Sequence, residues 1–408
     1  MEERYLIIAD DFTGANDTGV QLRKRGCATE VLFPGKTISY NGSIVIDTES
    51  RSASPEQAAE IVAQAVEQVD FSQYRYVVKK VDSTLRGNIG PEVKAVDEAF
   101  DPEQIIFAPA LPGLGRITVD GIQRLNGVAI CKTELALDPK NPVMEDNLME
   151  ILSWCYNEPI ILKRLPDVRS ASFTLGGGRI FVCDAETDQD LMRIVRAAKS
   201  SGKKTLYVGT AGIADSLMEE ERPSRPAFGI AASISSVTNQ QMRCCEQAGI
   251  TLVKIPVHEL LQGKADPGFY RDQGIEALRR GEDTILLTTT SYDRLDLGLS
   301  QEAGAQKNMT LNEVGDYVRS LIGRLAGEIL DAVPVSGVFV TGGDTALGLL
   351  RDIQADGSEI LSELMTGIPL IRIRGGRFDG MKLITKAGAF GDESAALFAM
   401  RKLKEETC

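Results

Sequence analysis

The chain has 408 residues, 43% of them hydrophobic and 25% charged, and a formal net charge of −13. That length exceeds one ordinary core and argues for two domains, while the acidic balance argues against nonspecific nucleic-acid binding. No apolar run approaches the roughly twenty residues of a spanning helix, no signal-peptide pattern opens the chain, and seven scattered cysteines fit a reducing cytoplasm.

The first strand is expected at 5–9. It breaks at once into Asp10-Asp11-Phe12-Thr13-Gly14-Ala15-Asn16-Asp17-Thr18-Gly19. Open α/β sheets bind ligands beyond the carboxyl ends of their strands, where these two acids stand. One acid would serve as cap for a helix starting near Ala15. Two acids, with Asp17 and the hydroxyls of Thr13 and Thr18, favour a polar site, because an uncompensated buried carboxylate is costly.

Further strands are expected at 29–33, 43–47, 76–80 and 105–108. Ser54-Pro55-Glu56-Gln57 has the capping-box pattern of a helix start, and another helix begins near Gly90-Pro91-Glu92. Strands at 160–163, 179–183 and 205–208 and a helix at 188–200 continue the alternation, which implies a mostly parallel sheet with flanking helices. Two more strand ends are polar. Asp47-Thr48-Glu49-Ser50-Arg51-Ser52 follows the third strand, and Lys80-Val81-Asp82-Ser83-Thr84-Leu85-Arg86-Gly87-Asn88 follows the fourth. Lys80 and Arg86 could hold an anionic group, and Asp82, Ser83 and Asn88 could read hydroxyls. A solvated loop with ordinary caps is the plainer alternative; convergence of three polar ends is what favours a site.

The charged, proline-bearing stretch at 219–226 reads as a linker. It divides the chain into domains expected at 1–221 and 222–408. The second α/β pattern has strands at 227–232, 251–255, 284–290, 337–341 and 370–374. Helices are expected from Thr238, boxed with Gln241, from Thr310, boxed with Glu313, and from about Glu393 to Lys404 behind an Asp392 cap. Small residues lead from strand to helix at Ser233-Ile234-Ser235, at Gly342-Gly343-Asp344-Thr345 and at Gly388-Ala389-Phe390-Gly391. Backbone N–H groups at such helix starts can approach phosphate oxygens.

Walker A, dinucleotide-fingerprint and H-E-x-x-H motifs are absent, and the adjacent Cys244 and Cys245 lack the partners of a zinc site. No protein-borne metal site is expected. His258 is the single histidine and has no nucleophile elbow with it, so proton transfer falls to carboxylate or lysine.

Taken together, Asp10-Asp11-Phe12-Thr13-Gly14-Ala15, the 80–88 segment, Gly342-Gly343-Asp344-Thr345 and Lys386-x-Gly388-x-Phe390-Gly391 resemble the four-carbon acid sugar kinase family over essentially the whole chain. The resemblance implies a sugar-acid-binding N-terminal domain, an ATP-binding C-terminal domain, and phosphorylation of the terminal hydroxyl of a tetronate such as D-threonate, D-erythronate or a 3-oxo-tetronate. Asp10, Asp11, Arg51 and the loop Lys80, Asp82, Ser83, Thr84, Leu85, Arg86 would face the sugar acid. Ser233, Ser235, Gly342, Gly343, Asp344, Thr345, Gly388 and Gly391 would face ATP. Ala232 stands where the family usually has glycine, and Asp344 where glutamate is common.

A kinase needs positioning, charge clamping and Mg²⁺ more than covalent catalysis. Asp10 or Asp11 is the candidate base, with Asp82 next. Mg²⁺ would arrive largely with the nucleotide, and domain closure would exclude water. A non-catalytic sugar-acid-binding protein is the rival reading; an NAD-dependent dehydrogenase lacks its fingerprint. The expected protein is cytoplasmic, binds small molecules rather than nucleic acid or membrane, and admits a homodimer.

Overall fold

The computed structural model describes residues 4–36, 41–293 and 295–405. It divides into two compact units between Pro223 and Ser224.

The strands of the first unit are β1 (Tyr5–Ala9), β2 (Thr29–Leu32), β3 (Ser43–Asp47), β4 (Tyr76–Lys80), β5 (Gln104–Ala108), β6 (Arg116–Val119), β7 (Ile122–Leu125), β8 (Val128–Ala129), β9 (Ile160–Lys163), β10 (Ile180–Cys183) and β11 (Thr205–Gly209). Eight of them form one parallel sheet in the order β2-β3-β1-β4-β11-β5-β10-β9. Parallel sheets are covered on both faces, so most of these strands are short, largely apolar runs. Leu6, Ile8, Ile44, Val77 and Val208 pack on one face with Val62, Val93, Val96 and Leu152. Tyr5, Ile7, Val45 and Val78 pack on the other with Ala15, Leu22, Leu191, Ile194 and Leu217. The remaining strands, β6-β7-β8, make a small antiparallel arm that the sequence pattern had not revealed.

Register decides which loops meet. Ala9 pairs with Asp47 on one side and Lys80 on the other. The three polar segments therefore leave the sheet from one row of residues.

The second unit has β12 (Phe228–Ala231), β13 (Thr251–Ile255), β14 (Thr284–Thr288), β15 (Val338–Thr341), β16 (Gly357–Met365), β17 (Ile368–Arg374) and β18 (Lys382–Lys386). Their order is β13-β14-β12-β15-β18-β17-β16. The first five run parallel, and β17 and β16 are antiparallel additions. Long helix Leu311–Ala332 lays Leu321, Leu325 and Ile329 on one face; Met242 and Met400 belong to the core of the other.

Several expected boundaries move. Residues 219–221 end the helix Ala211–Glu221 rather than open a linker. The first helix starts at Phe12 and is capped by Asp11, whose carboxylate accepts from the Gly14 N–H at 3.0 Å. The helix expected from Thr238 starts at Ser236 with Ser235 as its cap. The last helix spans Ala395–Leu403, and Asp392 bonds Ser394 instead of capping it. β14 stops at Thr288, and Thr289–Ser291 turns into a short 3-10 helix. The boxes at Ser54/Gln57 and Thr310/Glu313 form as expected. No helix among the described residues is long and apolar enough to cross a membrane.

Asp47 closes β3 with 1% exposure. Burial pushes its carboxyl up to about 6, although the Glu49 N–H donates to it. Below the ordinary carboxylate range the group is neutral folded and unfolded alike. Between about pH 4 and 6 only the folded state keeps the proton, so stability falls as pH rises through that window. Asp47→Asn keeps the acceptor and loses the charge. Urea unfolding at pH 7.5 should show it more stable by about 1–2 kcal/mol, with the gain gone near pH 4.

Candidate active site

The site of the first unit is built around Arg51. Its guanidinium donates to Asp10 through Nε at 2.7 Å and Nη2 at 3.0 Å, and to Asp11 through Nη1 at 2.7 Å and Nη2 at 2.8 Å. Asp82 Oδ1 lies 3.6 Å from Nη2. Forked, planar donors suit paired carboxylates. Burial works against the Arg51 charge, but Asp10, Asp82 and Asp11 outweigh it and hold the guanidinium more firmly protonated than usual. Asp10 is almost enclosed, with 4% of its side chain exposed, against 22% for Asp11 and 10% for Asp82.

Asp82 organises its own loop. It accepts from Arg86 Nε and Nη2, each at 3.0 Å, from the Thr84 N–H and from the Thr84 hydroxyl. Burial pushes its carboxyl up, but the Arg86 hydrogen bonds, the Arg51 charge and Thr84 prevail and hold it well below the usual range. It stays an anion that orients Arg86 and is a poor proton acceptor. Arg86 keeps a third of its side chain open to solvent. Lys80 is buried, and burial lowers its pKa; its ammonium donates to the Val81 carbonyl. A Cβ on Gly14 would stand 2.5 Å from Asp11 Oδ1 and 3.0 Å from Lys80 Nζ, so glycine lets this cradle close.

The remaining predicted residues divide. Ser83 lies in the loop, and its carbonyl accepts from Gln123 of β7. Leu85 has φ +63° and packs its side chain into the core, so only its backbone can face a ligand. Asn88 turns its amide NH2 to the loop carbonyls of Ser50, Arg51 and Ala53, which leaves only its Oδ1 for a ligand hydroxyl. Asp17 and Thr13 are exposed on the first helix, and the Thr18 hydroxyl bonds the Gly14 carbonyl. Lys79, Glu92, Ser50 and Gln123 hold the loops from behind, and no local sequence pattern marks their pairings.

The second unit offers backbone instead of charge. Ala231, Thr341 and Lys386 share one row across β12, β15 and β18, so the three small-residue turns leave the sheet together. A Cβ on Gly388 would lie 2.3 Å from Ser233 Oγ, and Gly342 has φ +106° at the start of helix Gly343–Asp352. The Thr238 hydroxyl donates to the Gly388 carbonyl and the Gln241 amide to those of Phe390 and Asp392. Lys386, which burial lowers to about 8, donates to the Ala387, Gly388 and Phe390 carbonyls. Thr345 is buried beside Gly342, Asp344 is 82% exposed, and Gly391 (φ +75°) turns the chain toward the last helix. Beside the Ser233 turn, Thr288, Thr290 and Ser291 join hydroxyls at the end of β14. The sequence pattern predicts Thr290 as strand, whereas β14 ends at Thr288. No cluster of three or more metal-ligating side chains occurs among the described residues.

Comparison with known proteins agrees with this division. Residues 5–217 match the model of a sugar-binding N-terminal domain, and residues 228–396 that of a nucleotide-binding C-terminal domain. The chain is 33% identical to a D-threonate kinase of Salmonella typhimurium over 99% of both sequences. It is 28% identical to a D-erythronate kinase of Heliobacterium modesticaldum over 98% of both, and 26% identical to a 3-oxo-tetronate kinase of Brucella melitensis over 99% of this chain and 96% of the relative. A crystal structure from Bordetella bronchiseptica, described as a domain of unknown function with bound citrate in a domain-swapped dimer, is 26% identical and superimposes with a TM-score of 0.61 over 99% of both chains. With both domain models matched and a full-length relative at 33% identity, the chain belongs to the four-carbon acid sugar kinase family, ATP-using phosphotransferases that act on an alcohol group.

Proposed function

We propose that the chain transfers the γ-phosphoryl group of ATP to the terminal 4-hydroxyl of a four-carbon sugar acid, with D-threonate as the leading substrate. The observation that carries the reading is the Arg51 cradle, where Asp10, Asp11, Asp82, Lys80 and Arg86 meet at one row of strand ends. D-Threonate leads because the relative at 33% identity is named for it; D-erythronate and 3-oxo-tetronates follow with relatives at 28% and 26%.

In this reading Lys80 and Arg86 hold the sugar-acid carboxylate. Asp11, the most open of the three carboxylates, accepts the proton of the attacking hydroxyl, while Asp10 keeps Arg51 in place. The Ser233–Ser235, Gly342–Thr345 and Gly388–Gly391 turns cradle the triphosphate through backbone N–H groups. Mg²⁺ fits as a companion of the phosphates rather than as an ion caged by protein, since the carboxylates of the first unit are already engaged by arginine. When bound it neutralises charge on the phosphates. The reading places the protein in the cytoplasm and admits a homodimer.

A coupled ADP-release assay across a panel of tetronates tests the activity. D-Threonate should turn over fastest; release at background with every member would sink the kinase reading and leave a sugar-acid-binding protein. Asp11→Asn keeps a good helix cap but cannot take a proton, and kcat should fall roughly 100-fold with KM for ATP unchanged. Near-normal kcat would leave Asp11 only its roles of capping the helix and holding Arg51. Arg86→Ala should instead raise KM for the sugar acid roughly 10- to 100-fold, the scale of a lost charge-assisted hydrogen bond. Gly388→Ala places a methyl group against Ser233 and should raise KM for ATP roughly 10-fold while leaving that for the sugar acid alone.

A further inference from the structure

β4 ends in two consecutive lysines, and strand alternation sends them to opposite faces. Lys80 turns toward Asp11 and Gly14. Lys79 turns under helix Ile89–Phe100, where its ammonium lies 2.6 Å from Glu92 Oε2; the two side chains are 0% and 2% exposed. Glu92 Oε1 accepts from Ser50 Oγ at 2.8 Å. Ser50 Oγ lies 2.8 Å from Thr48 Oγ1, which reaches the Ala9 carbonyl at 2.8 Å. The next residue is Arg51, whose N–H donates to the Asp10 carbonyl.

An ion pair this deep is weak evidence for stability, since an apolar pair of like volume often serves as well or better. This pair is instead wired to the residue preceding the guanidinium on which the cradle is built. It also links β1, β3, β4 and the following helix.

We infer that Lys79 and Glu92 are a positioning pair: acting through Ser50, they fix the loop that aims Arg51 at Asp10 and Asp11, without touching the ligand themselves. The kinetic side of the inference rests on the kinase reading; the geometric side does not.

Three variants of the full chain separate positioning from plain structural support. Lys79→Met/Glu92→Leu fills the volume and removes the acceptor of the Ser50 hydroxyl. Lys79→Met/Glu92→Gln restores a carbonyl oxygen for it. Ser50→Ala cuts the link alone and is the least disruptive to folding. For the Leu double variant and Ser50→Ala, kcat with the preferred tetronate should fall roughly 10- to 100-fold, the cost of a misplacement of about 1 Å, while KM for ATP stays put. The Gln double variant should recover most of that loss, and the Leu double variant should melt at or above the parent temperature. Hydrogen exchange gives a readout independent of turnover: in Ser50→Ala the amides of 48–53 should exchange faster, with β1 and β4 still protected. Unchanged kcat and unchanged 48–53 exchange in Ser50→Ala would overturn the inference, as would a Leu double variant that melts lower yet turns over normally. A parent enzyme inactive on every tetronate would overturn the kinase reading instead, and exchange at 48–53 would then decide the inference by itself.

Discussion

The first unit depends on one arginine placed between two consecutive aspartates. Like charges about 4 Å apart repel by about 4 kcal/mol at an effective dielectric near 20, and Asp10 and Asp11 stand at a strand end where little water reaches Asp10. Arg51 turns that repulsion into a cradle by giving each carboxylate two hydrogen bonds from one rigid plane. Asp82 then sits beside the same guanidinium and holds Arg86 outward. A lysine at position 51 would lack the fork this geometry uses.

Under the proposed function the second unit meets a different demand. Phosphate recognition by backbone N–H groups needs close approach and a fixed turn more than side-chain charge. Accordingly, Gly388 is crowded by Ser233, Gly342 adopts a backbone conformation that other residues resist, and Thr238, Gln241 and Lys386 spend their donors on loop carbonyls. The first unit thus offers clustered charge, and the second offers rigid backbone.

Much of this was legible in the chain because it is local. Short apolar runs announced strands such as Tyr5–Ala9 and Phe228–Ala231, and Ser54-x-x-Gln57 and Thr310-x-x-Glu313 announced helix starts. The same pattern failed at Thr238 and Gln241, where burial diverts both side chains to the 388–392 loop. Pairings across tens of residues were not legible: nothing local says that Arg51 grips Asp10, that Asn88 binds three carbonyls of the 50–53 loop, or that Glu92 ties Lys79 to Ser50. The antiparallel strand Gly357–Met365 escaped notice because an edge strand is half solvated and lacks a continuous apolar run.

The central claim is that the Arg51 cradle receives the sugar acid and the glycine turns receive the nucleotide. A crystal structure of the chain with D-threonate and a non-hydrolysable ATP analogue tests it most directly. The account predicts the sugar-acid carboxylate within hydrogen-bond reach of Lys80 or Arg86, its terminal hydroxyl beside Asp11, and the triphosphate on the N–H groups of the Ser233, Gly342 and Gly388 turns. Nucleotide seated on the Asp10 and Ser83 loops, or the sugar acid held by the second unit, would contradict it.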